Sequence, residues 1–233
     1  MKYTWLIWVG LLVACGDEKP VSIDWGLDYF PLRVGQEWTY AIHKTTYSYL
    51  NAPVESDYQQ RISVIGSTTA TTITTYTLQI ETRTEAAGPW QIVETWTARV
   101  QGSQLIVNES NINRVKLVFP VGPATTWDGN QYNNEPPFLT GYVTTPQQRL
   151  YRIEDYRVPR QLQSGLNFDN TLTVVLSNLY DAIIGQDLQK EVYAHNVGLI
   201  FKEVLQLEFC TTGGCSGQQR GEAYTQTLID YVP

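Results

Sequence analysis

The chain has 233 residues, of which 42% are hydrophobic and 17% charged, a balance that supplies a core and excludes intrinsic disorder. Its formal net charge is −7, which disfavours nucleic acid and other polyanions as partners, because these require a basic surface. Only two histidines occur, which argues against a multi-histidine metal site, and we predict no metal.

The N-terminal segment has the pattern of a lipoprotein signal peptide over residues 1–14. Lys2 supplies a positive charge, and residues 5–14 form an apolar run too short to span a bilayer as a helix. The run ends in Leu-Val-Ala before Cys15, a sequence that resembles a bacterial lipobox. The resemblance implies cleavage before Cys15 and acylation of its thiol and new amino group. An ordinary secretory peptide with a coincidental cysteine is the alternative.

Residues 15–28 are predicted to be the lipidated cysteine and a tether, and residues 29–233 a single β domain. Asp17 and Glu18 follow the cysteine, and acidic residues here resemble the surface-export signals of Bacteroidota lipoproteins, although a generic linker has the same composition. We expect a protein of the bacterial cell envelope, anchored by lipid to the outer membrane and facing the periplasm or the cell surface. The membrane is therefore one predicted partner.

From residue 36 onward apolar and polar residues alternate, which is typical of half-buried β-strands. No segment keeps an apolar repeat at helical spacing, and the nearest candidate, residues 182–192, is interrupted by Gly185. We predict an all-β protein with a curved, mainly antiparallel sheet, folded into a barrel, a half-barrel or a sandwich, and with little helix. The clearest predicted strands cover residues 38–42, 76–80, 90–100, 105–107, 115–119, 150–156, 172–176, 199–209 and 224–231.

Two cysteines remain besides Cys15. Cys210 and Cys215 are separated by Thr-Thr-Gly-Gly, and we predict that they form a disulfide across the last hairpin turn in an oxidising compartment. A redox-active or metal-binding pair is the weaker alternative, because the spacing is not Cys-x-x-Cys and no histidine or second cysteine pair lies nearby.

Three motifs stand out in the mature chain: Phe-Pro-Leu-x-x-Gly-x-x-Trp over residues 30–38, Trp-Asp-Gly-Asn over 127–130 and Tyr-Ala-x-x-Val-Gly-Leu-Ile over 193–200. They resemble motifs of Bacteroidota envelope lipoproteins, and the resemblance spans most of the mature chain. It implies an all-β envelope lipoprotein and transfers no reaction, cofactor or catalytic residue. His195 and Asn196 depart from the third motif, since they stand where a small residue or glycine is expected.

Glu94 and Glu203 interrupt strand faces that are otherwise apolar. Alternation points both carboxylates inward. If they met inside the sheet, burial would raise the pKa of one and leave a general acid beside a base, as in glycosidases. A β-bulge would instead turn either glutamate to solvent, or an arginine would pair with it. Catalysis by this pair is therefore the alternative hypothesis, and we name no other catalytic residue.

Aromatic side chains suggest a ligand site of a different kind. Trp and Tyr stack on sugar rings or line apolar cavities, although the same side chains also pack β-sheet cores. The Trp-Asp-Gly-Asn segment could offer oxygens to a cation or a sugar hydroxyl, although a tight turn with a packed tryptophan explains it equally. The candidate ligand contacts are Tyr47, Tyr49, Trp127, Asn130, Tyr132 and Tyr142.

These patterns together predict a non-catalytic, lipid-anchored envelope protein that binds a ligand or takes part in an assembly. The expected partner is a protein, a glycan or an apolar molecule of unknown identity. A carrier of an apolar molecule requires an open, dry cavity, a glycan binder an exposed aromatic patch, and a glycosidase Glu94 and Glu203 in one cleft. Phosphate-binding and dinucleotide-binding glycine motifs and the Gly-x-Ser-x-Gly elbow are absent from the sequence, so we predict no cofactor.

Overall fold

Twelve β-strands form one antiparallel sheet in this protein. A computed structural model describes residues 24–139, 145–211, 213–215 and 217–233. Strand accounts for 63% of the structure and helix for 3%, which confirms the all-β prediction; two short 3₁₀ turns lie at Leu27–Tyr29 and Pro146–Arg149. The strands are β1 (Glu37–Tyr47), β2 (Val54–Ala70), β3 (Ile73–Arg83), β4 (Gln91–Gln101), β5 (Gln104–Glu109), β6 (Ile112–Val118), β7 (Thr126–Trp127), β8 (Tyr151–Gln161), β9 (Asn167–Asp181), β10 (Gly185–Ala194), β11 (Gly198–Phe209) and β12 (Gln219–Val232).

The sheet consists of two meanders that are joined side by side. Strands β1 to β6 lie side by side in sequence order, and so do strands β7 to β12. The two meanders meet where β1 pairs with β12, from Glu37 opposite Val232 to Tyr47 opposite Gly221. Strands β6 and β7 are therefore the two outer edges of the sheet.

Hydrogen bonds beside β6 bring these two edges together. The Val115 N–H donates to the Gly129 carbonyl at 2.9 Å, and the Trp127 indole N–H donates to the Val115 carbonyl at 2.7 Å. Gly129 permits this approach, because a Cβ at this position would lie 2.1 Å from the ring of Tyr151. The sheet is thus nearly closed and barrel-like, the first of the three predicted forms.

The apolar core lies on the inner face of this sheet. Trp38, Tyr40 and Ile42 alternate along β1 and are 6%, 2% and 4% exposed, as their spacing predicts. Leu78 and Ile80 on β3 are buried in the same way. Alternating apolar residues on neighbouring strands therefore meet in one cluster, which gives the sheet its curvature and its stability.

Two segments show how far alternation predicts the strands. Residues 182–192, where Gly185 interrupts the helical spacing, form the turn before β10 and most of that strand, in agreement with the prediction of little helix. Strand β2 was not among the clearest predicted strands, since only Ile62 and Val64 of its 17 residues are buried. A strand that is mostly exposed carries little apolar alternation.

Residues just before the predicted β domain contact the sheet. Asp24 forms a 2.7 Å ion pair with Arg157, and the Asn196 N–H donates to the Asp28 carbonyl at 2.7 Å. Residues 1–23, which include the predicted signal peptide and Cys15, lie outside the described residues. Within the described residues, no helix combines the length and the hydropathy needed to cross a membrane.

The predicted disulfide is present at the turn between β11 and β12. Cys210 and Cys215 are bonded, and their Cα atoms are 5.7 Å apart. The bond closes the tip of the last hairpin, as their spacing predicts.

Candidate functional site

A polar groove lies inside the curved sheet and is lined by strands of both meanders. Its volume is about 490 Å³. A second cavity of about 280 Å³ adjoins it, and the two share Arg114, Leu176, Gln189 and Gln206. The groove combines amides, aromatic rings and charged groups, among them Lys44, Tyr58, Gln60, Trp96, Glu109, Lys202, Glu222, Tyr224 and Gln226.

Five side chains of alternating charge line and underlie this groove, and we call them the charge row: Arg114, Glu109, Lys116, Glu191 and Lys202. Lys116 is at the centre, with its Nζ 3.0 Å from Glu109 Oε1 and 2.7 Å from Glu191 Oε1. Arg114 Nη1 lies 3.8 Å from Glu109 Oε2, and Lys202 Nζ lies 3.6 Å from Glu191 Oε1. The row therefore begins and ends with a cation, and three cations face two carboxylates.

The charge row joins distant parts of the sheet. Glu109 ends β5 and Lys116 lies on β6, whereas Glu191 and Lys202 lie on β10 and β11. Lys116 is 4% exposed and Glu191 1% exposed, so the central pair is shielded from water. Such a pair is strongly coupled, because neither charge has solvent as an alternative partner.

Neighbouring charges keep the central groups ionised despite burial. Burial acts to lower the pKa of Lys116, but Glu109 and Glu191 raise it above the ordinary value for lysine. Burial acts to raise the pKa of Glu191, but Lys116 and Lys202 lower it below the ordinary value for a glutamate. Tyr193 also donates its hydroxyl to Glu191 Oε2 at 2.5 Å, which stabilises the carboxylate form.

Asp187 organises two of the amides that line the groove. Its Oδ1 accepts the amide nitrogen of Gln189 at 2.8 Å and that of Gln206 at 3.1 Å. Asp187 is 3% exposed and lines the adjoining cavity. Both glutamines line the groove and the adjoining cavity, so their amide groups are available to hydrogen-bond a ligand.

Aromatic rings and an ion pair complete the wall. Tyr58, Trp96 and Tyr224 line the groove, and Lys44 pairs with Glu222 at 2.5 Å across the junction of β1 and β12. The rings offer apolar faces beside polar groups, which is the surface that a sugar ring requires.

An apolar cavity beneath the groove is much smaller. It has a volume of about 40 Å³ and lies among Trp38, Tyr40, Leu78 and Leu199. Ligand pockets generally measure about 300–1,000 Å³. This apolar cavity is therefore too small for a ligand, whereas the polar groove above it is large enough.

The structure does not bring Glu94 and Glu203 together. Glu94 lines the groove near its exposed rim, accepts hydrogen bonds from the Ser110 hydroxyl at 2.8 and 3.0 Å, and also accepts from the Trp96 indole. Glu203 forms a 2.5 Å ion pair with Lys190 instead.

A β-bulge explains the different orientation of Glu203. Val192 pairs with Phe201 but Tyr193 pairs with Leu199, so that Ile200 is an extra residue in β11. The bulge reverses the alternation that follows it, and Lys202, Val204 and Gln206 line the groove. Glu203 therefore lies on the outer face, and the two carboxylates share no cleft.

The predicted ligand contacts are spread over separate places. Tyr47 and Tyr49 lie beside hairpin tips in a cavity apart from the groove. Trp127 is 7% exposed and packs edge-on against Tyr151 at 6.0 Å, as the packed-tryptophan interpretation predicts. Asn130 lines the adjoining cavity. Tyr132 is exposed, and its hydroxyl donates to Gln104 at 2.9 Å. Tyr142 lies outside the described residues.

The two histidines also lie apart from the groove. His43 is exposed on β1 and its Nδ1 is 2.8 Å from Asp57, while His195 lies in the turn between β10 and β11. Across the part of the chain that the structure describes, no three His, Cys, Asp or Glu side chains form a group able to hold a metal ion.

Sequence reasoning missed the charge row and its amide neighbours. The available signal was a single charge within an apolar run, as in Val115-Lys116-Leu117, where all three side chains are buried. A buried charge requires an ionic partner. Alternation alone does not reveal which distant strand supplies that partner.

Comparisons with known proteins give a distant structural likeness. No protein-family model and no curated protein matches the chain. A solved protein of Bacteroides fragilis, described as exported and as having a YmcC-like fold, is 10% identical; the match covers 88% of this chain and 98% of that one, with a TM-score of 0.41. A solved protein of Parabacteroides distasonis, described as a lipoprotein, is 11% identical; the match covers 88% of this chain and 98% of that one, with a TM-score of 0.39. Likenesses at this level assign no function to this chain.

Proposed function

We propose that this protein is a lipid-anchored protein of the bacterial cell envelope that binds a saccharide in the polar groove without transforming it. The observation that carries the proposal is the composition of the groove, in which amides and aromatic rings occupy one concave surface. Sugars combine hydroxyl groups with apolar ring faces, and this lining offers a partner for each.

The size of the groove supports a ligand of several heavy atoms. Its volume of about 490 Å³ is within the usual range for ligand pockets, and the adjoining cavity of about 280 Å³ extends the space for a second sugar unit. A carrier of an apolar molecule is disfavoured, because the apolar cavity is only about 40 Å³.

The separation of Glu94 and Glu203 disfavours hydrolysis by this pair. A glycosidase that uses two carboxyl groups needs both of them beside the scissile glycosidic bond, about 5–9.5 Å apart. Glu94 lines the groove, whereas Glu203 pairs with Lys190 on the outer face. The envelope location rests on the N-terminal pattern that ends at Cys15.

A glycan array tests the proposal directly. The processed full chain, purified in detergent, is applied to neutral, uronate-bearing and sulfated oligosaccharides, and the best ligand is then titrated by calorimetry. We expect saturable binding that Gln206→Ala weakens about tenfold, since one hydrogen bond contributes about 1 kcal/mol and an unpaired polar group adds to the loss.

Gln79→Ala is the matched control, because Gln79 alternates with the buried Leu78 and Ile80 on β3 and so lies on the outer face. Binding that both variants reduce equally, or an array without any ligand, contradicts the proposed function.

A further inference from the structure

The two ends of the charge row are cations that carboxylates of this chain satisfy only in part. Glu191 Oε1 is 2.7 Å from Lys116 and its Oε2 accepts the Tyr193 hydroxyl at 2.5 Å. Lys202 is 3.6 Å from the same Oε1, which is beyond normal hydrogen-bond distance. The ring centroid of Tyr224 lies 5.8 Å from Lys202 Nζ, so the ammonium group keeps part of its capacity for three hydrogen bonds.

Arg114 stands at the other end in a similar position. Its closest approach to Glu109 is 3.8 Å, while the other oxygen of Glu109 takes Lys116 at 3.0 Å. A guanidinium has five donors arranged to bind an oxyanion. Arg114 lines both the groove and the adjoining cavity, so these donors are placed beside the space that a ligand would fill.

Charge and exposure at these ends favour an anion. The row carries one net positive charge within a chain of formal net charge −7. Of the other charged groups that line the groove, Lys44 and Glu222 pair with each other, and Glu94 accepts hydrogen bonds at the rim. The side chains of Lys202 and Arg114 are 19% and 26% exposed, so oxyanions in the groove can reach these cations. Partial burial also strengthens the attraction, because solvent screens it less than at an open surface.

We propose that the saccharide is acidic, and that its carboxylate or sulfate groups pair with Lys202 and Arg114. This inference rests on the proposed function and adds the class of ligand to it. The acidic group occupies the place of the missing carboxylate at each end of the row, while the amides and rings bind the uncharged part of the sugar.

Matched ligands separate this inference from the proposed function. The best uronate-bearing oligosaccharide from the array is compared with its carboxyl-reduced form, and the best sulfated one with its desulfated form, by calorimetry at low and high NaCl. We expect removal of the acidic group to weaken binding about tenfold or more, and added salt to weaken only the acidic ligand. Comparison of the two pairs identifies which oxyanion the cations prefer.

Variants then locate the effect on the two cations. Lys202→Met and Arg114→Gln are expected to weaken binding of the acidic ligand about tenfold or more, and to weaken binding of the reduced or desulfated ligand much less. Among the described residues Arg114 forms one loose ion pair, with Glu109, so its variant keeps the test informative if Lys202→Met fails to fold. Lys190→Met is the matched control, since Lys190 pairs with Glu203 on the outer face.

The outcomes are distinct. Equal affinity for acidic and neutral forms, or preferential binding of neutral oligosaccharides, overturns the inference and leaves the proposed function in place. Binding of no oligosaccharide overturns both. Selective loss of the acidic ligand in Lys202→Met and Arg114→Gln, with Lys190→Met unaffected, supports the inference.

Discussion

Lys116 Nζ lies 2.7 Å from Glu191 Oε1, and this buried contact joins two residues that are 75 positions apart in sequence. It links β6, an outer edge of the sheet, to β10 in the opposite meander. The contact therefore holds the curved sheet nearly closed and also forms the floor of the groove. The stability of the fold and the shape of the proposed binding groove therefore depend on the same ion pair.

Removing the amine of Lys116 should destabilise the fold strongly. Lys116→Met leaves the carboxylates of Glu109 and Glu191 buried without their closest partner, and loss of one member of a buried pair costs about 3–5 kcal/mol. Lys190→Met breaks the more exposed pair with Glu203, for which the expected cost is about 0–1 kcal/mol. Urea denaturation measures both, and equal losses of unfolding free energy would show that the central pair has no special role.

The buried carboxylate predicts a loss of stability in acid. Burial acts to raise the pKa of Glu191, but Lys116 and Lys202 lower it below its ordinary value. A group whose pKa is lower in the folded state stabilises the fold above its unfolded pKa of about 4.3, and this stabilisation is lost as the pH falls through the folded pKa.

Urea denaturation between pH 7 and pH 3 measures this linkage. The unfolding free energy of the wild type should fall below about pH 4.3, and Glu191→Gln should show a smaller fall because it lacks the titrating group. Glu203→Gln, on the outer face, should follow the wild type. Parallel curves for the wild type and Glu191→Gln would refute the assignment.

Closure of the sheet predicts that no side chain is tolerated at Gly129. A Cβ there would lie 2.1 Å from the Tyr151 ring, so Gly129→Ala must displace the ring or the strand edge, at a cost of about 1–3 kcal/mol. Gly66→Ala is the control, since a Cβ at Gly66 meets no atom within 4 Å. If thermal unfolding shows similar midpoints for the two variants, the close packing at Gly129 is not a constraint.

Alternation in sequence predicted the core of the sheet but not the orientation of every charge. It placed Trp38, Tyr40 and Ile42 inside, where all three are buried. It also pointed Glu203 inward, and the extra residue at Ile200 reverses that face. A bulge leaves no reliable mark in a single sequence, because it depends on the register with the neighbouring strand.

The groove was less predictable than the fold for a related reason. Lys116, Glu191 and Lys202 come from three strands, and their meeting depends on the closure of two meanders. The charges themselves are visible within apolar runs, but their pairing is a property of the folded sheet. Among the proposed ligand contacts that the structure describes, only Asn130 lines one of the two polar cavities.

The lipid anchor is tested by metabolic labelling with an alkyne fatty acid. We expect the wild type to be labelled and Cys15→Ser to lose the label, because acylation requires the cysteine thiol. Cys210→Ser is the control for a cysteine outside the signal, and it should keep the label. Label retained by Cys15→Ser would exclude Cys15 as the anchor.

Tryptophan fluorescence during titration with the best-binding oligosaccharide reports whether the ligand occupies the groove. Trp96 borders both the groove and the apolar cavity, whereas Trp90 packs between Arg61 and Arg83, away from the groove. We expect a saturable change in emission that Trp96→Phe abolishes and Trp90→Phe preserves. A saturable change that persists in Trp96→Phe would place the ligand elsewhere and contradict binding in the groove.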